Sequence, residues 1–255
     1  MKLLILPHQL FDIKKLPSKK EIKEIILFEH PQYFTKYNFN KKKLVLHRAS
    51  MKYYFDYLVK KGYNVKYVNY DKGETIKNCT HCFDPIDKIN LSKFGNGNEK
   101  MEMLESPNFM CTEENYLEYR KKTQTFFFNS FYMWCKKKVD IIPDIKSQDK
   151  YNRNSFDSSI PIPKLPKNSG TSDKKYIEEA KKYVESNFKI NYGEVDNFQF
   201  PISHTAANKW LSNFISSKFK VFGPYQDFIV KGEDYMFHSC LSTSINIGLL
   251  NPLDI

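Results

Sequence analysis

The sequence predicts an α/β fold: a Rossmann-like parallel sheet, followed by the start of a helical domain. Three observations carry this. Short apolar runs of strand length alternate with a long amphipathic helical stretch in the first half of the chain. Residues 143–170 then change character, with Pro143, Pro161, Pro163 and Pro166 among many Ser and Asn. The 255 residues amount to roughly 1.7 typical domains, one full unit and part of another.

Leu3-Leu4-Ile5-Leu6 has the length and apolarity of a buried strand, and Ile25-Ile26-Leu27-Phe28 is a second, ending at the carboxylate of Glu29. Lys41 to Lys61 carries Leu44, Met51, Tyr54, Phe55 and Leu58 at helical spacing, and Gly62 is the expected stop. Tyr63 to Tyr70 alternates as a third strand, and Lys100 to Leu104 is a candidate fourth. Strand–helix–strand order at this spacing favours right-handed parallel crossovers. Thr112 followed by Glu113-Glu114 marks a helix start through Arg120. Gln124 to Lys138 reads as an aromatic helix whose Lys136-Lys137-Lys138 end suits the helix dipole. Helical patterning resumes at Ser172-Asp173 and runs to Phe188. A further helix is expected from Thr205 through Ile215, with Trp210, Leu211 and Phe214 on its buried face. The resulting division is 1–142, an α/β domain; 143–170, a linker; and 171–255, the beginning of a helical domain.

Charge and composition bound the function loosely. The formal net charge is +11, yet only Arg48, Arg120 and Arg153 are arginines, so the excess is lysine and partly a compositional bias. A basic chain is attracted to nucleic acid and anionic surfaces. No apolar run approaches the ~20 residues that span a bilayer, so no membrane partner is expected. The expected location is intracellular, cytoplasmic or nuclear. Cys79, Cys82, Cys111, Cys135 and Cys240 make an odd count that argues against a disulfide framework. Cys79-Thr80-His81-Cys82 lacks the second ligand pair a zinc site needs and reads as loop cysteines beside a strand, while Cys135 reads as a small core residue. No dinucleotide fingerprint, P-loop or nucleophile elbow is present, and His8, His30, His47, His81, His204 and His238 are scattered without a metalloprotease pattern.

The tail differs. Phe222-Gly223-Pro224-Tyr225-Gln226-Asp227, His238-Ser239-Cys240-Leu241-Ser242 and Asn246-Ile247-Gly248-Leu249-Leu250 set polar groups among apolar ones. Hydroxyls at a helix start suit a phosphate, or simply cap a core helix. The stretch FGPYQDFIVKGEDYMFHSCLSTSINIGLLNP resembles the opening of the flavin domain in the deoxyribodipyrimidine photolyase-related family, the iron–sulfur bacterial cryptochromes and photolyases. LILPHQLFD resembles that family's first strand and its Gln-Leu turn. NKKKLVLHRASMKYYFDYLVKKGYNVKY resembles its first long helix and third strand, and SPNFMCTEENYLEY and FFFNSFYMWCKKK its later helices.

The resemblance implies a light-driven flavoprotein related to repair of pyrimidine dimers or (6–4) lesions, with DNA as partner. It implies FAD at Tyr225, His238, Ser239, Leu241 and Ser242, a partial site. It also implies a lumazine-type antenna near Leu6, His8, Gln9 and Glu29, at the carboxyl ends of strands. Three departures qualify it. Pro7-His8 stand where many members have Gly-Asp. Ser147 to Arg153 replace a glycine-rich stretch. The family's remaining helices and cluster cysteines do not follow Ile255, so no iron–sulfur cluster is expected, nor any other metal. The expectation is therefore a photolyase-like portion, inactive alone or completed by a separately encoded C-terminal half. It would expose an apolar face at Ile245, Leu249 and Leu250. The alternative is a non-catalytic α/β module that binds a lumazine or nucleotide-like ligand.

Overall fold

Leu3, Leu4 and Ile5 are fully buried because the strand they form lies in the middle of a sheet covered on both faces. The computed structural model describes residues 1–97, 100–143, 145, 149–152, 155–166 and 171–255. Of the expected linker, positions 144, 146–148, 153–154 and 167–170 lie outside the described residues, as do Ser147, Gln148 and Arg153 of the block noted there. Five strands, β1 (Lys2–Ile5), β2 (Glu24–Phe28), β3 (Val65–Val68), β4 (His81–Phe83) and β5 (Glu102–Leu104), pair in the order β3-β2-β1-β4-β5. All four pairings are parallel. This is the α/β Rossmann-like arrangement. The chain builds outward from β1 in one direction and then in the other, so the order reverses between β1 and β4.

The helices are α1 (Pro31–Phe34), α2 (Lys41–Lys60), α3 (Glu113–Lys121), α4 (Phe128–Lys138), α5 (Thr171–Asn187), α6 (His204–Ser217), α7 (Phe219–Phe222) and α8 (Ser242–Asn246). Asn40 caps α2, its side-chain oxygen accepting from Lys42 N at 2.8 Å, and Gly62 follows the helix at φ +78°, where a Cβ would be strained. Thr112 and Asn115 form a capping box at the start of α3. The aromatic helix begins at Phe128 rather than Gln124, because Phe127 is extended. Trp210, Leu211 and Phe214 of α6 are buried as their spacing implies. Helix α5 lies along α2, with Ala180 and Val184 fully buried. Two expectations need amending: Cys82 lies in β4 rather than in a loop, and Cys135 is only partly buried.

The tail corrects another expectation. Leu249 and Leu250 are 3% and 2% exposed and Ile245 is packed against the core, so the anticipated apolar face is covered. The segment folds back on the loop after β1, where Leu10 N donates to Ile247 O at 3.0 Å. Gly248 makes this possible. It sits at φ +86°, and a Cβ there would lie 2.8 Å from the Phe11 ring and 2.9 Å from Leu10 N. Gly248→Ala should therefore cost at least ~1–2 kcal/mol of stability, since the left-handed strain adds to a backbone clash. A urea midpoint equal to wild type would show that the tail docks without this approach.

Candidate functional site

The carboxyl ends of β1 and β4, where the strand order reverses, open into a cleft of about 830 Å³. Open α/β sheets bind ligands at such a point. The loop after β1 supplies His8 and the loop after β4 supplies Pro85, Ile86 and Asp87. Helix α2 adds Lys43 and His47, α1 adds Tyr33, and Asn108 and Thr243 close the far side.

Gln9 sets the geometry. Its Oε1 accepts from Leu6 N at 3.0 Å, and its Nε2 donates to Phe83 O at 3.0 Å and Asp84 O at 3.3 Å, tying the two loops together. His8 Nε2 then meets Pro85 O at 3.1 Å. A carbonyl is only an acceptor, so the ring carries its proton on Nε2 and leaves Nδ1 as a bare lone pair. Burial lowers the pKa of His8, partly offset by Asp87, which keeps the ring neutral near pH 7. His47 is held down to about 3 by burial first, then by Lys43 and His8, while the Pro7 carbonyl accepts its other ring N–H. His30 is held to about 4, mainly by burial and then by Lys93 and His8, and its Nδ1 accepts from Gln32 N at 3.1 Å. Tyr33 joins the three imidazoles, its ring centroid 4.7 Å from His8, 6.1 Å from His47 and 6.5 Å from His30. The Tyr33 hydroxyl donates to Asp87 Oδ2 at 2.8 Å.

Four buried polar atoms in this wall have no partner: His8 Nδ1, His47 Nδ1, Asn108 Oδ1 and Thr243 Oγ1. An unmet buried polar group costs about 1–3 kcal/mol, and these four atoms have almost no accessible surface, so they lie behind the cleft surface although their residues line it. Ile86 stands on the rim at φ +64°, a strained setting for a β-branched residue, held by Asp84 Oδ1 accepting its N–H at 2.8 Å. Together with Asn108 and Phe109 it separates this cleft from a second one of about 840 Å³, a largely apolar space between β5, α3 and α4.

Of the residues carried over to an antenna site, His8 lines the cleft and Gln9 positions it. Leu6 is fully buried behind them. Glu29 lies elsewhere, in a closed network. Its Oε1 accepts from Arg48 Nη1 at 2.8 Å and Tyr67 OH at 2.6 Å, and its Oε2 from Tyr183 OH at 2.9 Å and Tyr70 N at 3.2 Å. All four carboxylate positions are used. The five residues carried over to FAD line neither of these two clefts. Tyr225 meets Phe156 edge-on at 5.5 Å and lies tilted against Phe237 at 5.7 Å, Leu241 is buried, and Ser239 Oγ accepts from Leu241 N at 3.4 Å. His238 meets Phe222 edge-on at 6.1 Å, and Ser242 opens α8. Tyr33, Lys43, His47, Asp87, Asn108 and Thr243 are the site residues that reading the sequence missed. One signal was available: Lys43 and His47, four apart on a helix, share a face.

Among the described residues no helix is long and apolar enough to cross a membrane, and no three His, Cys, Asp or Glu side chains are grouped to hold a metal.

Comparison with known proteins gives the following. Residues 3–200 match the family described as deoxyribodipyrimidine photo-lyase-related protein. The chain is 34% identical over 187 residues to a mimivirus protein, uncharacterized protein R852 of Acanthamoeba polyphaga mimivirus, covering 62% of this chain and 95% of that one. It is 24% identical over 240 residues to a (6-4) photolyase of Agrobacterium fabrum, covering 85% of this chain and 47% of that one. The chain thus spans nearly all of the viral relative and about half of the bacterial one.

Proposed function

The chain belongs to the deoxyribodipyrimidine photo-lyase-related protein family, and from that premise we propose that it takes part in photolyase-like, light-driven DNA repair by holding a light-absorbing heterocycle in the cleft beside β1 and β4. The observation that carries this is the cleft at the reversal of strand order, walled by the His8 and Tyr33 rings and by apolar side chains. A planar ring fits the setting, because the His8 and Tyr33 rings form an aromatic wall and Leu46, Ile245 and Ile247 exclude water. Such a chromophore would supply absorption and energy transfer. The protein's own part is to bind it against the His8 and Tyr33 rings and to hold it among the apolar side chains of the cleft.

FAD is proposed on family grounds. The five tail residues Tyr225, His238, Ser239, Leu241 and Ser242 line neither of the two large clefts. No step is derived through it. DNA as the partner rests on the same footing, with the +11 charge in its favour. The alternative is a binding module without catalysis, which would hold the heterocycle in the cleft that its own residues line.

The test is fluorescence titration of the purified chain with a lumazine, a flavin and a pterin. At least one should saturate at one site per chain. Thr243→Val replaces an unpartnered hydroxyl with an isosteric methyl. It should leave the free protein as stable or slightly more so, since the buried hydroxyl has no partner to lose. Flat titrations with all three, on folded protein, would remove this reading.

A further inference from the structure

The second cleft, between β5, α3 and α4, brings together two thiols from separate parts of the chain. Cys111 sits in the loop after β5, directly before the Thr112 cap of α3, and Cys135 lies on α4. Both line the cleft, both are only partly buried, and their side chains are hydrogen-bonded to each other. The surrounding packing holds them opposed. The Tyr119 ring of α3 lies 5.1 Å from Phe131 and 5.6 Å from Trp134 of α4, and Glu118 accepts from Lys138 Nζ at 2.7 Å. The Thr112–Asn115 capping box anchors the chain immediately after Cys111.

The other cysteines are placed differently. Cys79 and Cys82, the pair with the suggestive spacing, are 1% and 0% exposed, out of reach of a dissolved reagent, and Cys82 Sγ donates to Met103 Sδ at 3.1 Å. Cys240 Sγ donates to His238 O at 3.7 Å. We infer that Cys111 and Cys135 are a redox-sensitive pair, closed by a low-molecular-weight disulfide into a bridge that clamps α4 to the entry of α3 at the second cleft. Burial, and then the contact with Cys111, pushes the Cys135 thiol up to about 12 and keeps its proton in place, so exchange starts at Cys111. The Cys111 thiolate attacks one sulfur of the reagent and expels a thiolate, leaving a mixed disulfide. The Cys135 sulfur, losing its proton as it attacks, then displaces the second thiolate from Cys111. Two protein thiols are oxidised, the S–S bond of the reagent is reduced to two thiols, and the two protons pass to them.

The test treats the full, folded chain with oxidised glutathione near pH 8, quenches with acid, and maps the cysteines by peptide mass spectrometry. Wild type should yield the Cys111–Cys135 bridge, with Cys79 and Cys82 recovered as free thiols. In Cys135→Ser the glutathionyl group should stay on Cys111, because nothing displaces it. In Cys111→Ser, Cys135 should react about tenfold more slowly than Cys111 does in Cys135→Ser. Circular dichroism checks that both variants are folded. A wild-type chain that keeps both thiols free, or that retains glutathione on Cys111 without forming the bridge, would overturn the inference. A bridge at Cys79 or Cys82 in its place would do the same.

Discussion

Replacing Glu29 with alanine should lower the stability of the fold by about 3–5 kcal/mol, the cost of breaking a buried charge network from one side. Glu29 is fully buried, and its partner Arg48 is 7% exposed. Burial alone would weigh against the Arg48 charge, but Glu179, Tyr67 and Glu29 outweigh it, and the guanidinium stays charged. Arg48 Nη2 also reaches Glu179 at 2.6 Å and Nη1 reaches Asn69 at 2.9 Å, so the network ties α5 and the end of β3 to α2. Removing Glu29 strands the hydroxyls of Tyr67 and Tyr183 and the N–H of Tyr70 without an acceptor. The measurement is the urea midpoint, with Lys2→Ala as control. That residue pairs with Glu24 where both side chains are 27% exposed, and such surface pairs contribute only about 0–1 kcal/mol. If Glu29→Ala shifts the midpoint no further than Lys2→Ala does, the network does not hold α5 in place.

Acidification should destabilise the protein by about 2 kcal/mol for each of His30 and His47 between pH 6.5 and pH 5, before most carboxylates titrate. In the unfolded chain histidine titrates near 6.5, while in the fold His30 is lowered to about 4 and His47 to about 3. Below 6.5 the unfolded state takes up protons that the folded state refuses. The stability is thus fully present above 6.5 and is lost progressively as the pH falls toward the folded values. Urea titrations at pH 7, 6 and 5 read the slope directly. His47→Phe should reduce it by one proton. An unchanged slope in that variant would mean His47 is accessible to protons in the folded state.

Much of this fold is legible in the residues. The apolar runs at 3–6 and 25–28 became β1 and β2, the stripe from Leu44 to Leu58 became α2, and Gly62 ended it, each for a local reason. β4 escaped notice because His81-Cys82-Phe83 is too short to show a period, and its Cys79–Cys82 spacing draws attention to metal chemistry instead. Glu29 illustrates the limit of position alone. A carboxylate at a strand end matched a ligand-binding pattern, but Arg48, Tyr67 and Tyr183, brought in from three separate helices and strands, and the backbone N–H of Tyr70 occupy every lone pair it has.

By itself the sequence determined the parallel α/β class, the long helix, its stops, and membership in a photolyase-related family, because these rest on local periodicity and ordered blocks of residues. It did not determine the order of the strands, the burial of Leu249 and Leu250, or the cleft. Those depend on contacts between distant parts of the chain: Gly248 against Leu10, Gln9 against Phe83, and Asn108 against Ile245. The orientation of His8 and His47, and hence which ring nitrogen carries the proton, is set by the Pro85 and Pro7 carbonyls. A side chain's hydrogen-bonding sense belongs to its neighbours in space, and only the tertiary structure assigns them.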